Sequence, residues 1–215
     1  MEQHIIEVDS VSKTYGGRTV LSGVYLKVQT GDICALFGRN GTGKSTLMKI
    51  IYGTLRADHK YQKIDEHFLT EPYKHASYIS YLPDVPFIPK NLKVRHVFNL
   101  YNIPKECLDD IALHFYNSRI SELSSGERRY VEICLILLKK AHFVLLDEPY
   151  KFLSPLMVEK IERLILSQSK EKGIIIADHR YRDVLNIANR ILLIKDSSLF
   201  EVANEKELAE KGYIL

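Results

Sequence analysis

The sequence predicts an α/β fold: a mostly parallel sheet covered by helices on both faces. Continuous apolar runs such as Ile33–Phe37 and Ile174–Ala177 lack the alternation of a half-solvated strand, as strands buried on both faces do. Segments with helical spacing alternate with these runs, the order of a layered α/β domain. Directly after the first run stands Gly38-Arg39-Asn40-Gly41-Thr42-Gly43-Lys44-Ser45, a glycine-rich turn between a strand and a helix.

Residues His4 to Val8 and Val24 to Val28 alternate apolar and polar side chains, the pattern of half-buried antiparallel strands. Tyr15-Gly16-Gly17 is a turn between them, and Thr30-Gly31-Asp32 turns the chain into Ile33–Phe37. Thr46 to Ile51 continues the glycine-rich turn as a helix. Tyr61 to Ile64 and Ser77 to Leu82 are short strands, after which Pro83, Pro86 and Pro89 break regular structure. Leu92 to about Leu138 is mostly helical, with a loop near Asn117 to Ser125. His142 to Leu146 is a buried strand ending in Asp147-Glu148-Pro149. Val158, Ile161, Leu164 and Ile165 recur at helical spacing within Met157 to Leu166. The strand Ile174–Ala177 stops at Asp178-His179. A helix from about Tyr181 to Ala188, a strand from Ile191 to Lys195 and a charged helix near Glu205 to Lys211 complete the order.

The 215 residues allow one domain with a substantial core. Apolar residues make up 46%, charged residues 27%, and the formal net charge is +3. No lysine- or arginine-rich block points to nucleic acid. The longest apolar runs, such as Ile133–Leu138, are far too short to span a bilayer, and Met1 to His4 lacks the plan of a signal peptide. Cys34, Cys107 and Cys134 are widely spaced with no C-x-x-C pair, which reads as free thiols in a reducing compartment. A cytoplasmic location follows by elimination.

Gly38 to Ser45 fits G-x-x-x-x-G-K-[ST], the phosphate loop of nucleotide triphosphatases. Successive amides at a helix start attract an anion, and the helix dipole adds to the pull. Lys44 is placed to reach the β- and γ-phosphates, and the Ser45 hydroxyl to bind Mg²⁺. Phe143 to Glu148 is an apolar strand delivering two carboxylates at its C-terminal end, where open α/β sheets bind ligands. Asp147 is the candidate for holding Mg²⁺ and Glu148 for polarising the attacking water. Leu123-Ser124-Ser125-Gly126-Glu127 opens an apolar-periodic helix; Ser124 with Glu127 is a capping box, and the same amides form an anion site.

In these ordered motifs the chain resembles the ATP-binding subunits of ABC transporters. The resemblance covers nearly the whole chain: the phosphate loop, Leu123–Glu127 as the family signature, Val144 to Glu148 as Walker B, His179 as the switch histidine and Tyr15 as the adenine-stacking aromatic. It implies a P-loop NTPase (RecA-like) core at about 1–83 and 140–215, with an antiparallel β subdomain and an inserted helical subdomain at about 84–139. It also implies ATP and Mg²⁺ as cofactors, with Gly38, Asn40, Gly41, Gly43, Lys44, Ser45 and Thr46 around the phosphates. Ser124 and Gly126 would then contact the ATP of a second copy or paralogue in a head-to-tail dimer. The implied activity is ATP hydrolysis with Glu148, His179 and Lys44 as catalytic residues. The further partner is an integral membrane permease docked near Asp84 to Asn102, which holds the subunit on the inner face of the cell membrane. The runs Asp178–Asp183 and Gly126–Arg129 resemble the branch serving lipopolysaccharide export or branched amino-acid import.

Four positions depart from the family pattern. Asp84 stands where a glutamine is usual and remains a candidate Mg²⁺ ligand, since a carboxylate suits that ion. Ser154 stands in place of an aspartate, Ser125 in place of a glycine and Tyr130 in place of an arginine. Asp84 and Ser154 make slow or partner-dependent hydrolysis an expectation. Two other readings stay open beside the transport motor: a non-transport cytosolic ATPase of the same class, and a regulatory nucleotide-binding subunit that barely hydrolyses. A single-turnover kinase or GTPase leaves the signature unexplained, and the chain has no N-K-x-D motif.

Overall fold

The computed structural model describes residues 3–214. Strand β1 (Ile5–Tyr15) turns at Gly16-Gly17 into β2 (Arg18–Gln29), and β3 (Ile33–Phe37) leads through the glycine-rich loop into α1 (Lys44–Tyr52). Then come β4 (His59–Ile64), β5 (His67–Phe68) and β6 (Ile79–Leu82). Helices α2 (Val94–Leu100), α3 (Asp110–His114) and α4 (Ser125–Leu138) follow, with single 3-10 turns at Lys105–Cys107 and Ile120–Glu122. The chain closes with β7 (Phe143–Asp147), α5 (Pro155–Gln168), β8 (Gly173–Ala177), α6 (Tyr181–Ile187), β9 (Arg190–Lys195), β10 (Ser198–Val202) and α7 (Glu205–Glu210).

Two sheets form. One has the order β10-β9-β3-β8-β7-β6, parallel except for the β9–β10 hairpin; the other is antiparallel in the order β2-β1-β4-β5. The central strands β3 and β8, and β7 as far as Leu146, are apolar because each face meets its own core. Ile33, Ala35, Phe37, Val144, Leu146, Ile174 and Ile176 pack toward α2, α4, α5 and α6. Cys34, Leu36, Leu145, Ile175 and Ala177 pack the other way, toward α1 and the antiparallel sheet. In the antiparallel sheet Val8 pairs with Leu26 and Ile6 with Val28, all buried against α1.

Two strands were not legible in the sequence. β10 pairs with β9 through a two-residue turn at Asp196-Ser197, both left-handed at φ 50° and 64°. Such turns usually announce themselves with Asn-Gly or a like pair, and Asp-Ser carries no comparable signal. β5 has only two residues and follows from its pairing with β4. The block from Leu92 to Leu138 is less regular than its apolar spacing suggests. Only α4 is long; α2 and α3 are short and joined by turns.

Parallel pairing brings several strand ends to one edge. Asp147 lies opposite Ala177, and the Glu148 amide donates to the Ala177 carbonyl at 2.7 Å. The loop after β3, Asp147-Glu148 at the end of β7 and Asp178-His179 after β8 therefore emerge side by side. At the far end of α4 the buried Lys172 ammonium donates to the Leu137 carbonyl and, at 3.0 Å, to that of Lys139. It satisfies orphan carbonyls of the last helical turn, where a cation also suits the dipole. Lys172→Met keeps the stem and removes these bonds. Denaturant unfolding is expected to show a loss of about 1–3 kcal/mol.

Candidate functional site

The glycine-rich loop, the two strand ends and the β1–β2 turn enclose a cavity of about 430 Å³. Tyr15, Val20, Asn40, Gly41, Gly43, Lys44, Ser45, Thr46, Asp147, Glu148 and His179 line it. Ten of these come from the residues singled out in the sequence; Val20 is new and supplies apolar surface beside Tyr15. Gly43 caps α1 with φ 107°, and a Cβ there would fall 2.7 Å from Val20 Cγ1. That backbone is strained for any other residue, so the sharp entry into α1 depends on it.

Lys44 Nζ donates to the carbonyls of Gly38 at 2.6 Å and Arg39 at 3.2 Å. Burial pulls its pKa below the ordinary lysine value, against the opposing pull of Asp147 and Glu148. Asp147 is 1% exposed. Burial pushes its carboxyl above the usual range and the charge of Asp84 adds to the effect, while hydrogen bonds from Ser45 and Tyr81 work against it. Tyr81, at the end of β6, donates its hydroxyl to Asp147 Oδ2 at 3.3 Å. The Glu148 carboxylate meets His179 Nε2 at 3.2 Å through one oxygen and Lys151 Nζ at 3.3 Å through the other.

Arg129 of α4 holds this edge together. It is 5% exposed and donates to the carbonyls of Pro83 at 2.7 Å, Asp147 at 2.5 Å and Glu148 at 3.0 Å. Glu132, one turn along, pairs with it at 3.5 Å and accepts from the Phe87 amide at 3.2 Å. Glu148 itself sits at φ 49° and Phe152 at φ 67°. Left-handed backbone costs about 1–3 kcal/mol for such residues and persists only where surrounding bonds impose it. Those bonds are the Arg129 contact to the Glu148 carbonyl and the Tyr150 amide donating to Asp178 at 2.9 Å. The second of these also accounts for Asp178, whose other oxygen accepts from the Arg180 amide.

Ser124 and Gly126 lie outside the cavity, at the start of α4. Ser124 accepts from the Glu127 amide at 3.3 Å, and Glu127 accepts from the Ser124 amide at 2.7 Å, so the capping box is present. Gly126 packs so closely on the loop after β7 that a Cβ would come within 2.5 Å of the Phe152 carbonyl. Gly38 opens the loop just behind the cavity and is not among its lining residues. Asp84 also stands apart: with Pro86, Ser125, Arg128, Arg129, Glu132, Lys151 and Phe152 it lines a separate void of about 20 Å³. Its charge reaches Asp147 and Tyr81 from there.

The other departures have local work. Ser154 caps α5 by accepting from the Met157 amide at 3.4 Å. Ser125 is helical and needs no positive φ. Tyr130 is buried and donates its hydroxyl to Asp109, the cap of α3. No role for Arg129, Tyr81 or Lys151 follows from the sequence motifs. The signal for Arg129 was present: opposite charges at 129 and 132 on an otherwise apolar helix face imply a buried pair.

A phosphate loop facing two strand-end carboxylates defines a nucleotide-triphosphate-binding α/β domain. Comparison with known proteins narrows the class. The family model for ABC transporters matches residues 21–151. A lipopolysaccharide export system ATP-binding protein LptB of Haemophilus influenzae is 31% identical over 208 residues, covering 88% of this chain and 86% of that protein. A probable ABC transporter ATP-binding protein of Azorhizobium caulinodans is 32% identical over 206 residues, covering 88% and 73%. A nucleotide-free ATP-binding cassette of an ABC transporter superposes with TM-score 0.80 at 25% identity, over 96% of this chain and 94% of the other. An ATP-binding subunit of an ABC transporter shares the fold at TM-score 0.85 and 22% identity, over 97% and 94%. The chain belongs to the ABC transporter family, as an ATP-binding and ATP-hydrolysing subunit of the kind that works with a membrane permease. Among the described residues, no helix is long and apolar enough to cross a membrane.

Removing Arg129 strips cationic donors from three backbone carbonyls and leaves Glu132 buried alone. Arg129→Ala is expected to cost about 3 kcal/mol in chemical unfolding, and Arg129→Met with Glu132→Met clearly less, because the double change leaves no unpaired buried charge.

Proposed function

We propose that the chain is half of a head-to-tail dimer that closes on two MgATP and transmits that closure to a membrane permease. The observation that carries this reading is the division of the motif residues. Tyr15, Lys44, Ser45, Asp147, Glu148 and His179 face one cavity, while Ser124 and Gly126 stand outside it at the start of α4. A second copy, turned about, supplies the missing wall of amides, with Ser124 and Ser125 exposed and available for it. Docking on the permease holds the pair at the inner face of the cell membrane.

Within each half, Tyr15 presents an exposed ring for stacking on adenine. The amides of residues 41–45 and the Lys44 ammonium bind the phosphates. Ser45 and Asp147 fit Mg²⁺: both offer oxygen donors, both line the cavity, and Asp147 is a buried carboxylate that a cation would favour in its charged form. Ser45 and Asp147 would hold Mg²⁺ there, and the ion would supply charge neutralisation for the phosphate oxygens. Asp84, in the neighbouring void, tunes this site through its charge and is not one of the residues around the nucleotide cavity. Glu148 accepts a hydrogen bond from the attacking water and orients it toward the γ-phosphorus, while His179 donates to a γ-phosphate oxygen.

Glu148→Gln keeps shape and removes the base. Purified Glu148→Gln is expected to retain ATP binding while steady-state turnover falls about 100-fold or more. Lys44→Ala is expected to lose nucleotide affinity instead. Light scattering of Glu148→Gln with MgATP is expected to show a dimer that disperses when nucleotide is removed. Wild-type turnover in Glu148→Gln, or a monomer under all nucleotide conditions, contradicts the reading.

A further inference from the structure

The end of β7 concentrates negative charge. Asp147 and Glu148 are consecutive, and Asp84 is near enough for its charge to act on both Asp147 and Tyr81. The neighbouring cations are mostly engaged elsewhere. Lys44 donates to the Gly38 and Arg39 carbonyls, and Arg129 to backbone carbonyls, with Glu132 as its ion-pair partner. Two groups touch the Glu148 carboxylate, His179 on Oε1 at 3.2 Å and Lys151 on Oε2 at 3.3 Å. Lys151 is the primary amine of the two.

The chain places that lysine with some care. It lies between the two left-handed residues Glu148 and Phe152, its amide donates to the Glu148 carbonyl at 3.3 Å, and the next turn closes from the Leu153 amide to the Tyr150 carbonyl at 3.3 Å. Its ammonium also lies 5.6 Å over the Phe152 ring, which restrains the stem. On its other side Lys151 shares the small void with Asp84. Lys151 thus borders the void that Asp84 lines and, through its ammonium, reaches the Glu148 carboxylate.

We propose that Lys151 is a positioning residue for ATP hydrolysis, its ammonium holding the Glu148 carboxylate in place against the negative charge of Asp84 and Asp147. The proposal rests on Glu148 being the group that orients the water. A carboxylate has about four acceptor positions, so a lysine on Oε2 fixes the group and leaves room for water. The side chain of Lys151 is 43% exposed, and an ion pair this open adds little to stability. Its substitution therefore leaves the fold intact and is read in turnover.

The test is steady-state ATPase of the full chain as Lys151→Met, Lys151→Arg, Asp84→Asn and Asp84→Asn with Lys151→Met, alongside Glu148→Gln. Lys151→Met is expected to lower kcat about tenfold while KM for ATP stays within about twofold, and Lys151→Arg to return kcat to within about threefold of wild type. In the Asp84→Asn background the methionine is expected to cost less than about threefold, because one of the opposing charges is gone. Unchanged kcat in Lys151→Met, no recovery with arginine, or an equal loss in both backgrounds overturns the proposal. Wild-type turnover in Glu148→Gln identifies instead a failure of the assignment of Glu148. Loss there with none in Lys151→Met rejects the lysine alone.

Discussion

The site depends on one buried cation. Arg129 reaches from α4 across the end of the parallel sheet and bonds the carbonyls that end β7 and begin the segment after β6. Each is a charge-assisted hydrogen bond in a low-dielectric setting, stronger than a neutral one. Together they fix the direction in which Asp147 and Glu148 leave the strand, and they support the left-handed backbone of Glu148. Glu132 balances the charge and accepts from the Phe87 amide, so one ion pair also anchors the proline-rich segment. The helix that carries Ser124 and Gly126 is in this way tied to the cavity of its own chain. A shift of α4 on docking to a second copy would be felt at Glu148 directly.

Charge balance explains the remaining arrangement. A triphosphate is strongly anionic, yet the cavity wall already contains Asp147 and Glu148, with Asp84 behind them. In the proposed reading, loop amides, the start of α1 and Lys44 answer the phosphates. Burial disfavours the charged form of Asp147, and the proposed cation between it and Ser45 would favour that form. The Asp178 carboxylate accepts from the Tyr150 and Arg180 amides, and its charge is coupled to Glu148 and His179. It locks the loop after β7 to the end of β8.

Much of this was legible in the residues. Unbroken apolar runs announced the parallel strands because both faces are buried, and the phosphate loop announced itself because its geometry demands glycine at fixed spacing. The carboxylates of Asp147 and Glu148 were visible as an abrupt polar end to such a run. Other features are tertiary and left weaker traces. β10 hangs on a turn whose Asp-Ser sequence is compatible with many loops. Asp84 follows β6 in sequence, and only the packing of α4 determines that it faces a separate void. Ser154 and Tyr130, read as departures from a family pattern, turn out to cap α5 and to tie α4 to the cap of α3. Lys151 was legible as a charge three residues after Glu148, but its direction depends on the backbone at Glu148 and Phe152, which sequence does not encode in a recognisable way.

The central claim is that ATP and a divalent metal occupy the cavity between the phosphate loop and the end of β7. A crystal structure of the chain soaked or grown with MgATP tests it most directly. The account predicts the triphosphate within hydrogen-bond distance of Lys44 and the amides of residues 41–45, adenine against Tyr15, and density for the metal between Ser45 and Asp147. Nucleotide seated instead in the cavity on the far side of the loop, among Arg39, Lys195 and Lys211, would contradict it.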